Sequence, residues 1–481
     1  MQRLLVKVGK KRLRKRYRGA NGLEYGRYDL ETEVLGSAID ALKIPERHVG
    51  RRVRLTRDFL LPWGVKTGDL LVLDPSESER VLAPRRPGAV GRCSASGVPQ
   101  CEAGDVDRDG YPEDLLTNAF VRAIVQPHRG ARVQSLCDCG GVDRLSQPFD
   151  YIMGGKYILL GGAEEYIAEG GAPGDLWKAE FGRTEPSLAP EAVEIGYSHT
   201  LKKPEGVAFS KLVRVDRTLP GVVQRYEITY AGRRADGGEG GVEGGEAEQV
   251  AARGTAPGAA KSDEAAVTLA IRLTTPARGE VGSRNVFDVP GPDGPELVRF
   301  HRPGSGRRWR WRDWRDEYFG LKAGFVVSRH EEDGAALAVL FNPRATAHVA
   351  IRSDFQGPEL TVRHVPTTIP RGGRREYGLA LLVGHATAAT ADSMLLLTRG
   401  RSGRDGVPVA ITLRTRRSIQ RVRAGLSTAS GRMRPSLARR ELPRAGRVYT
   451  AIVRLPKAAF PLTCSVNIGG ERLSAHLEAR S

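Results

Sequence analysis

From Asn118 to the C-terminus, apolar residues recur at every second position in short runs broken by glycine, proline and polar turns. NAFVRAIVQP and RVQSL flank the turn HRG. GFVVSR and ALAVLFN flank EEDG, and VVQRYEITY and AAVTLAIRLTT flank a long glycine-rich stretch. Period-two alternation predicts half-buried antiparallel strands. Tyr226, Ile228 and Tyr230 alternate against Val267, Leu269 and Ile271, so one sheet is expected to continue across the stretch between them. That stretch, about 232–264, begins RRADGGEGGVEGGEAEQ and has almost no large apolar side chains. Too little surface can be buried there to offset the entropy of ordering it, so a disordered acidic insert is expected.

The ends of the chain differ in pattern. DLETEVLGSAIDALKI places Val34, Leu35, Ala38, Ile39 and Leu42 at helical spacing, and Pro45 ends the run. RRVRLTRDFLLPWGVKTGDLLVLD then predicts two strands around Pro62-Trp63-Gly64. Residues 1–74 thus form a small α+β module, and 75–103, rich in Pro, Ser, Gly and Arg, a linker. Residues 104–392 form the main β domain. Five strand-like segments within 401–481 make a C-terminal β-sandwich whose arginines take the alternate, outward positions. The fold class expected is mainly β.

The richest stretch is Asp105 to Leu136. Asp105, Asp107 and Asp109 alternate, Gly110 allows a sharp turn, and Glu113 closes a D-x-D-x-D-G-x-x-E loop. A calcium ion takes roughly 6–8 oxygen ligands, and these carboxylates with a Tyr111 carbonyl would supply them. The twelfth position of the loop is Leu116, which excludes an ordinary EF-hand. The order DVDRDG, LLTNAFVRAIV, PHRGARV and QSLCD resembles the β-supersandwich domains of the galactose mutarotase-like superfamily, and most of all the C-terminal domain of family 57 glycoside hydrolases and glucanotransferases. VEIGYSHTLKKPEGVAFSKLVRVDRTLPGVVQRYEITY and TTIPRGGRREYGLALLVG extend the resemblance over about residues 102–390. Ala131 stands where the pattern has a second glycine. The resemblance implies a large antiparallel supersandwich, a carbohydrate ligand, and calcium bracing the entry to the first strand.

The formal charge is +19, carried by the ends: nine Lys or Arg and no acid in residues 1–18, +13 over 401–481, and −3 between them. Lys10, Lys11, Arg12, Arg14, Lys15 and Arg16 form a basic arm suited to non-specific polyanion contact. No run approaches the ~20 apolar residues of a membrane span, and no apolar signal core follows the basic start, so a cytoplasmic chain is expected. The five cysteines, Cys93, Cys101, Cys137, Cys139 and Cys464, suggest no disulfide framework. Cys137 and Cys139 face opposite sides of one strand, which argues against a zinc pair.

No nucleophile elbow, zinc-protease helix, phosphate loop or dinucleotide fingerprint occurs. Sugar epimerisation in the resembled superfamily uses histidine as acid and glutamate as base. The positional candidates are His199 or His128 with Glu317 or Glu332, but the family's motif is missing around His199. The catalytic barrel of family 57 has no room in the first hundred residues. Trp309, Trp311 and Trp314, interleaved with arginines, offer aromatic faces for sugar rings. The reading is a carbohydrate-binding, non-catalytic supersandwich; the alternatives are a sugar epimerase and a polyanion-binding or assembly protein.

Overall fold

The computed structural model describes most of residues 93–478, together with four short strands among the first 92. Outside the described residues lie 1–12, 19–23, 29–51, 55–69, 73–92, 107–110, 146–150, 168–175, 233–263, 275–284, 300–313 and several shorter stretches. The expected helix over 29–42, the acidic insert, Trp309, Trp311, Asp107, Asp109, Glu332 and Lys10 to Arg12 fall there. Leu13–Arg18, which carries Arg14, Lys15 and Arg16 of the basic arm, is a strand paired with Glu24–Tyr28.

Among the described residues the chain is almost wholly antiparallel strand, and no helix is long and apolar enough to cross a membrane. The first sheet runs, edge to edge, Trp314–Phe319, Thr346–Asp354, Gly357–His364, Leu269–Thr274, Ala163–Ile167, Arg132–Asp138, Val121–Gln126, Glu113–Thr117 and Gln100–Gly104. The second contains, in order, Gly182–Arg183, Ala192–Thr200, Val207–Asp216, Gly221–Tyr230, Arg374–Gly384, Ala336–Phe341, Phe325–His330, Asn285–Gly291 and Gly294–Arg299. Their facing sides bury one core that includes Phe120, Val133, Ile195, Phe209, Ile228, Ile271, Phe341 and Leu379. Each fully buried aliphatic or aromatic side chain contributes ~1.5–3 kcal/mol.

Gly221–Tyr230 and Leu269–Thr274 do not continue one sheet. They belong to the second and the first sheet, and their apolar residues meet face to face in that core. Alternation identifies which face is buried but not which strand lies alongside. Asn118 helps hold the sheets together: its amide donates to the Asp216 and Leu219 carbonyls, and its oxygen accepts from the Phe120 and Val121 amides, all within 2.9 Å.

The main β domain begins earlier than the acidic turn. Gln100–Gly104 pairs with Glu113–Thr117, so the turn is the loop of a hairpin rather than the entry to the first strand. That first strand lies in the stretch read as linker. It is an edge strand, and its exposed Gln100, Glu102 and Ala103 carry no apolar alternation.

The third sheet joins Ala386–Ala389, Ser393–Arg399, Val407–Thr415, Gly446–Leu455, Ser436–Leu442, Val422–Thr428, Leu462–Ile468 and Glu471–Leu477, with Gly431–Met433 beside Val422–Thr428. It starts ahead of the boundary expected at 401, because Ser393–Arg399 pairs along its whole length with Val407–Thr415. The sheet encloses its own aliphatic core, including Leu395, Ile411, Leu426, Val466 and Leu473. It also presents Met394, Leu396, Leu442 and Val448 to the outer face of the second sheet, against Phe325, Leu340 and Leu382. Arg414 crosses this junction, donating to the carbonyls of Arg447 (2.7 Å), Phe341 (3.4 Å) and Ala323 (3.4 Å). Burial pushes its guanidinium down to about 10.

Cys93 and Cys139 form a disulfide with Cα atoms 5.5 Å apart, although no framework was legible in the sequence. Cys101, Cys137 and Cys464 are free thiols. Arg401 donates to the Cys93 carbonyl at 2.6 Å, so the bridge also touches the start of the C-terminal module.

Candidate functional site

Two polar constellations depart from an apolar-in, polar-out sandwich, and both start from Ala163–Ile167. Glu164 and Glu165 are adjacent in this strand and therefore point to opposite faces. Each is buried, Glu164 at 3% and Glu165 at 2% exposure.

Glu165 faces the second sheet. Its Oε1 accepts from Lys211 Nζ at 2.6 Å and from the Tyr226 hydroxyl at 3.0 Å, while Lys211 also donates to the Ala131 carbonyl at 2.8 Å. Ala131 sits at φ 47° where the resembled pattern has glycine. Tyr197, Lys211, Tyr226 and Tyr377 lie side by side across four strands, forming a polar belt through the core. The Tyr197 hydroxyl donates to Asp114 at 2.8 Å, Arg183 closes on the same carboxylate, and His364 lies tilted against Tyr377 with ring centres 4.7 Å apart. Burial pushes the Glu165 carboxyl up and the Lys211 ammonium down, each partly offset by the other. This belt ties the two sheets together through the core.

Glu164 lies on the opposite face of the first sheet, away from the core. Its carboxylate accepts from the Tyr166 hydroxyl at 2.9 Å and from Arg272, and Arg132 approaches it at 3.8 Å. Arg272 also faces Glu359 at 3.9 Å and lies over the Tyr166 ring at 5.1 Å. Burial works against the Arg272 charge, but Glu164, Tyr166 and Glu359 outweigh it and hold the guanidinium protonated. Arg132 is fixed in turn by Gln126 Oε1 at 2.7 Å. Strand register carries this row outward: Glu164 is opposite Arg272, Arg272 opposite Thr361, Thr361 opposite Ala350, and Ala350 opposite Glu317. Fixed carboxylate acceptors, guanidinium donors and an aromatic ring are the groups that orient a polyhydroxylated ligand.

The residues singled out from sequence are distributed as follows. Trp314 opens the edge strand of the first sheet opposite Ser353, and Glu317 lies on the same strand. His199 is in the second sheet, its Nδ1 3.2 Å from the Glu180 carbonyl and its ring against Phe181, whereas the strand of Glu317 belongs to the first sheet. His128 stacks on Tyr111 at 4.7 Å. Of the five expected calcium ligands, Asp105 and Tyr111 are exposed and Glu113 is buried, its Oε2 accepting from the Val106 amide at 2.7 Å. Among the described residues no group of three or more His, Cys, Asp or Glu is placed to hold a metal. Sequence reading passed over Glu164, Tyr166, Arg272, Glu359 and Arg132. The available signal was the acid pair inside AEEYI and the single arginine inside LAIRLTT, charges in runs otherwise built for burial.

No family model and no curated protein matches this chain. Among solved structures, the chain is similar in fold to a galactose mutarotase-like protein from Clostridium acetobutylicum, with 8% identity over 60% of this chain and 99% of that one and a TM-score of 0.42. It is also similar to a 4-alpha-glucanotransferase from Thermococcus litoralis, with 11% identity over 59% of this chain and a TM-score of 0.35. A third is a TPR-domain containing protein from Parabacteroides distasonis, with 13% identity over 57% of this chain and a TM-score of 0.41. The chain spans 40% of the glucanotransferase and 47% of the TPR-domain protein. The likeness is one of fold alone.

Proposed function

We infer that the chain binds carbohydrate, without catalysis, on the face of the first sheet that carries Glu164, Tyr166, Arg272, Glu359 and Arg132. The observation that carries this reading is the ordered carboxylate–guanidinium row on the non-core face. A structural ion pair needs one acid and one base; here two guanidinium groups, two carboxylates and a tyrosine form one array with paired acceptors and donors, as vicinal hydroxyls require. Trp314 lies on the edge strand of the same sheet, and Trp309 and Trp311 precede it in sequence; we assign these three tryptophans to the apolar faces of sugar rings. The strand-order resemblance to galactose mutarotase-like supersandwiches supports the same ligand class. An epimerase would need an acid and a base across one ring, which the polarimetry below tests directly.

Calorimetry and affinity electrophoresis against neutral α-glucans test the reading. The wild-type chain should bind, and Arg272→Met should weaken binding about tenfold or more, with circular dichroism reporting whether the fold survives. Thr361→Ala, a milder change in the same row, should weaken it less. Absence of binding to every neutral polysaccharide tried, or an unaltered affinity in a folded Arg272→Met chain, defeats it. Polarimetry on free aldoses should show only the spontaneous rate.

The acidic hairpin loop fits a structural calcium ion in donor chemistry: Asp105 and Glu113 flank it and both carry hard oxygen ligands. We assign the ion to Asp105, Asp107, Asp109, Glu113 and the Tyr111 carbonyl.

A further inference from the structure

The third sheet turns an unusual surface to solvent. In Val422–Thr428, Leu462–Ile468 and Glu471–Leu477, alternate residues are buried and the intervening ones face outward. Three cross-strand rows lie on that outward face. Arg432, Ser427, Thr463 and His476 are neighbours in register; Gly425, Ser465 and Ser474 form the next row; Arg423 lies opposite Ser436, and Asn467 opposite Arg472. Ser465 and Ser474 hydroxyls are 3.1 Å apart, Arg472 donates to Ser465 at 3.3 Å, and Thr463 meets His476 at 2.9 Å. Small hydroxyl and amide side chains thus pave the face, with arginines set among them.

Arg423 lies in Val422–Thr428 with Arg421 just ahead of it, and Arg432 lies in Gly431–Met433 with Arg434 just after it, all four exposed. Residues two apart in extended chain are about 6–7 Å apart. Among the described residues none of the four guanidinium groups makes a hydrogen bond or ion pair, whereas Arg416, Arg439 and Arg444 in the same module are bridged to Asp392, Glu441 and Glu376. The acids nearest this face are engaged: Glu471 with Arg417, and Glu478 with His476. Like charges set along one face, with no counter-charge paired to them among the described residues, raise the self-energy of the fold, and a ligand of opposite charge relieves it.

We propose that this face docks an acidic polysaccharide, a chain of carboxylated or sulfated sugars, with the four arginines taking its anionic groups and the Ser, Thr and Asn side chains its hydroxyls. The guanidinium fork binds carboxylate or sulfate bidentately, and a flat face lets successive residues of an extended polymer be met together. Single-stranded nucleic acid asks for aromatic stacking platforms, and the outward rows hold no Trp, Tyr or Phe. A membrane surface asks for an apolar wedge; the large apolar side chain exposed in this hairpin is Met433 alone.

The test uses the full chain, with polygalacturonate as the acidic probe, dextran as the neutral one, and duplex DNA and phosphatidylserine-containing vesicles as competitors. Replacing Arg421, Arg423, Arg432 and Arg434 together by Ser should leave the melting temperature within a degree or so and weaken polygalacturonate binding at least about tenfold. The slope of log affinity against log salt should fall by about three. Should the quadruple variant fold poorly, Arg423→Ser with Arg432→Ser should give an intermediate loss, and lysine at all four positions should restore most of the binding. The proposal is overturned if the serine variants bind as wild type. It is also overturned if binding is lost only on neutralising Lys10, Lys11, Arg12, Arg14, Lys15 and Arg16, or if DNA or vesicles bind more tightly than polygalacturonate. Dextran or α-glucan binding at Glu164 and Arg272 should persist in the arginine variants, so failure here and failure of the neutral-sugar site are read separately.

Discussion

The double sheet and the third sheet are built on the same two-residue alternation, yet they place their charges on opposite sides of the polypeptide. In the double sheet Glu165, Lys211 and Asp114 enter the core and are matched there by Tyr226, Tyr197 and Arg183. In the third sheet the enclosed core is aliphatic apart from Tyr449, Phe460 and Cys464, and most arginines stay in solvent. A buried charge is tolerated only with a partner and then fixes a unique registry; an exposed charge is nearly free and remains available to a ligand. One module spends its polar residues on internal order, the other on its surface.

Removing one member of the buried pair should expose this difference most sharply. Lys211→Met leaves Glu165 facing an apolar core, and denaturant unfolding should show a loss of about 3–5 kcal/mol, with much of it recovered in Lys211→Met/Glu165→Leu. An exposed counterpart such as Arg423→Ser should shift stability by no more than ~0.5 kcal/mol. Equal effects at the two sites would erase the contrast.

Reduction of Cys93–Cys139 comes next. The bridge closes a loop with 46 residues of separation, and its loss should cost about 2–4 kcal/mol. Thiol titration of the denatured chain should find three free thiols before reduction and five after. Five thiols at the outset would show the bridge absent. Disulfides of this kind persist in oxidising compartments, so the same titration on protein taken from its native location bears on the cytoplasmic expectation.

The smaller effects sharpen the comparison through pH and metal. Burial pushes the His364 imidazole down to about 4, against only a hydrogen bond to the Ala345 carbonyl. The folded chain therefore keeps it neutral while the unfolded chain protonates near 6.5. Its contribution is complete above pH 6.5 and is lost as pH falls from there through 4, by roughly 3 kcal/mol. His364→Gln should flatten that limb of a stability–pH curve; an unchanged limb would assign it to other groups. Calcium at the acidic hairpin should add about 1 kcal/mol at saturating ion, seen as a lower melting temperature in chelator. Identical melting with and without chelator, together with a silent Asp107→Ala, would leave the loop a solvated turn.

Much of the architecture was legible from Phe120 onward because alternation over long runs has a single physical reading. The hairpin across EEDG follows from it directly. The polar row was not legible, because Glu164, Arg272 and Glu359 are separated by up to 195 positions, and a charge out of place in one run does not say which distant charge it meets. The first strand was missed for the opposite reason: Gln100–Gly104 is an exposed edge and carries little of the pattern that marks a buried strand.

The sequence by itself determined the strand character of the chain, the concentration of positive charge at its ends and the outward alternation of arginine in the last module, since these depend on local period and composition. Only the tertiary structure decided that Tyr226 and Ile271 join one core from different sheets, that Glu164 and Glu165 part to opposite faces of their sheet, and that Cys93 reaches Cys139. Those are choices of partner. A strand's side-chain pattern specifies the face it must bury, while the strand or sheet that covers it is selected by the packing of the whole chain.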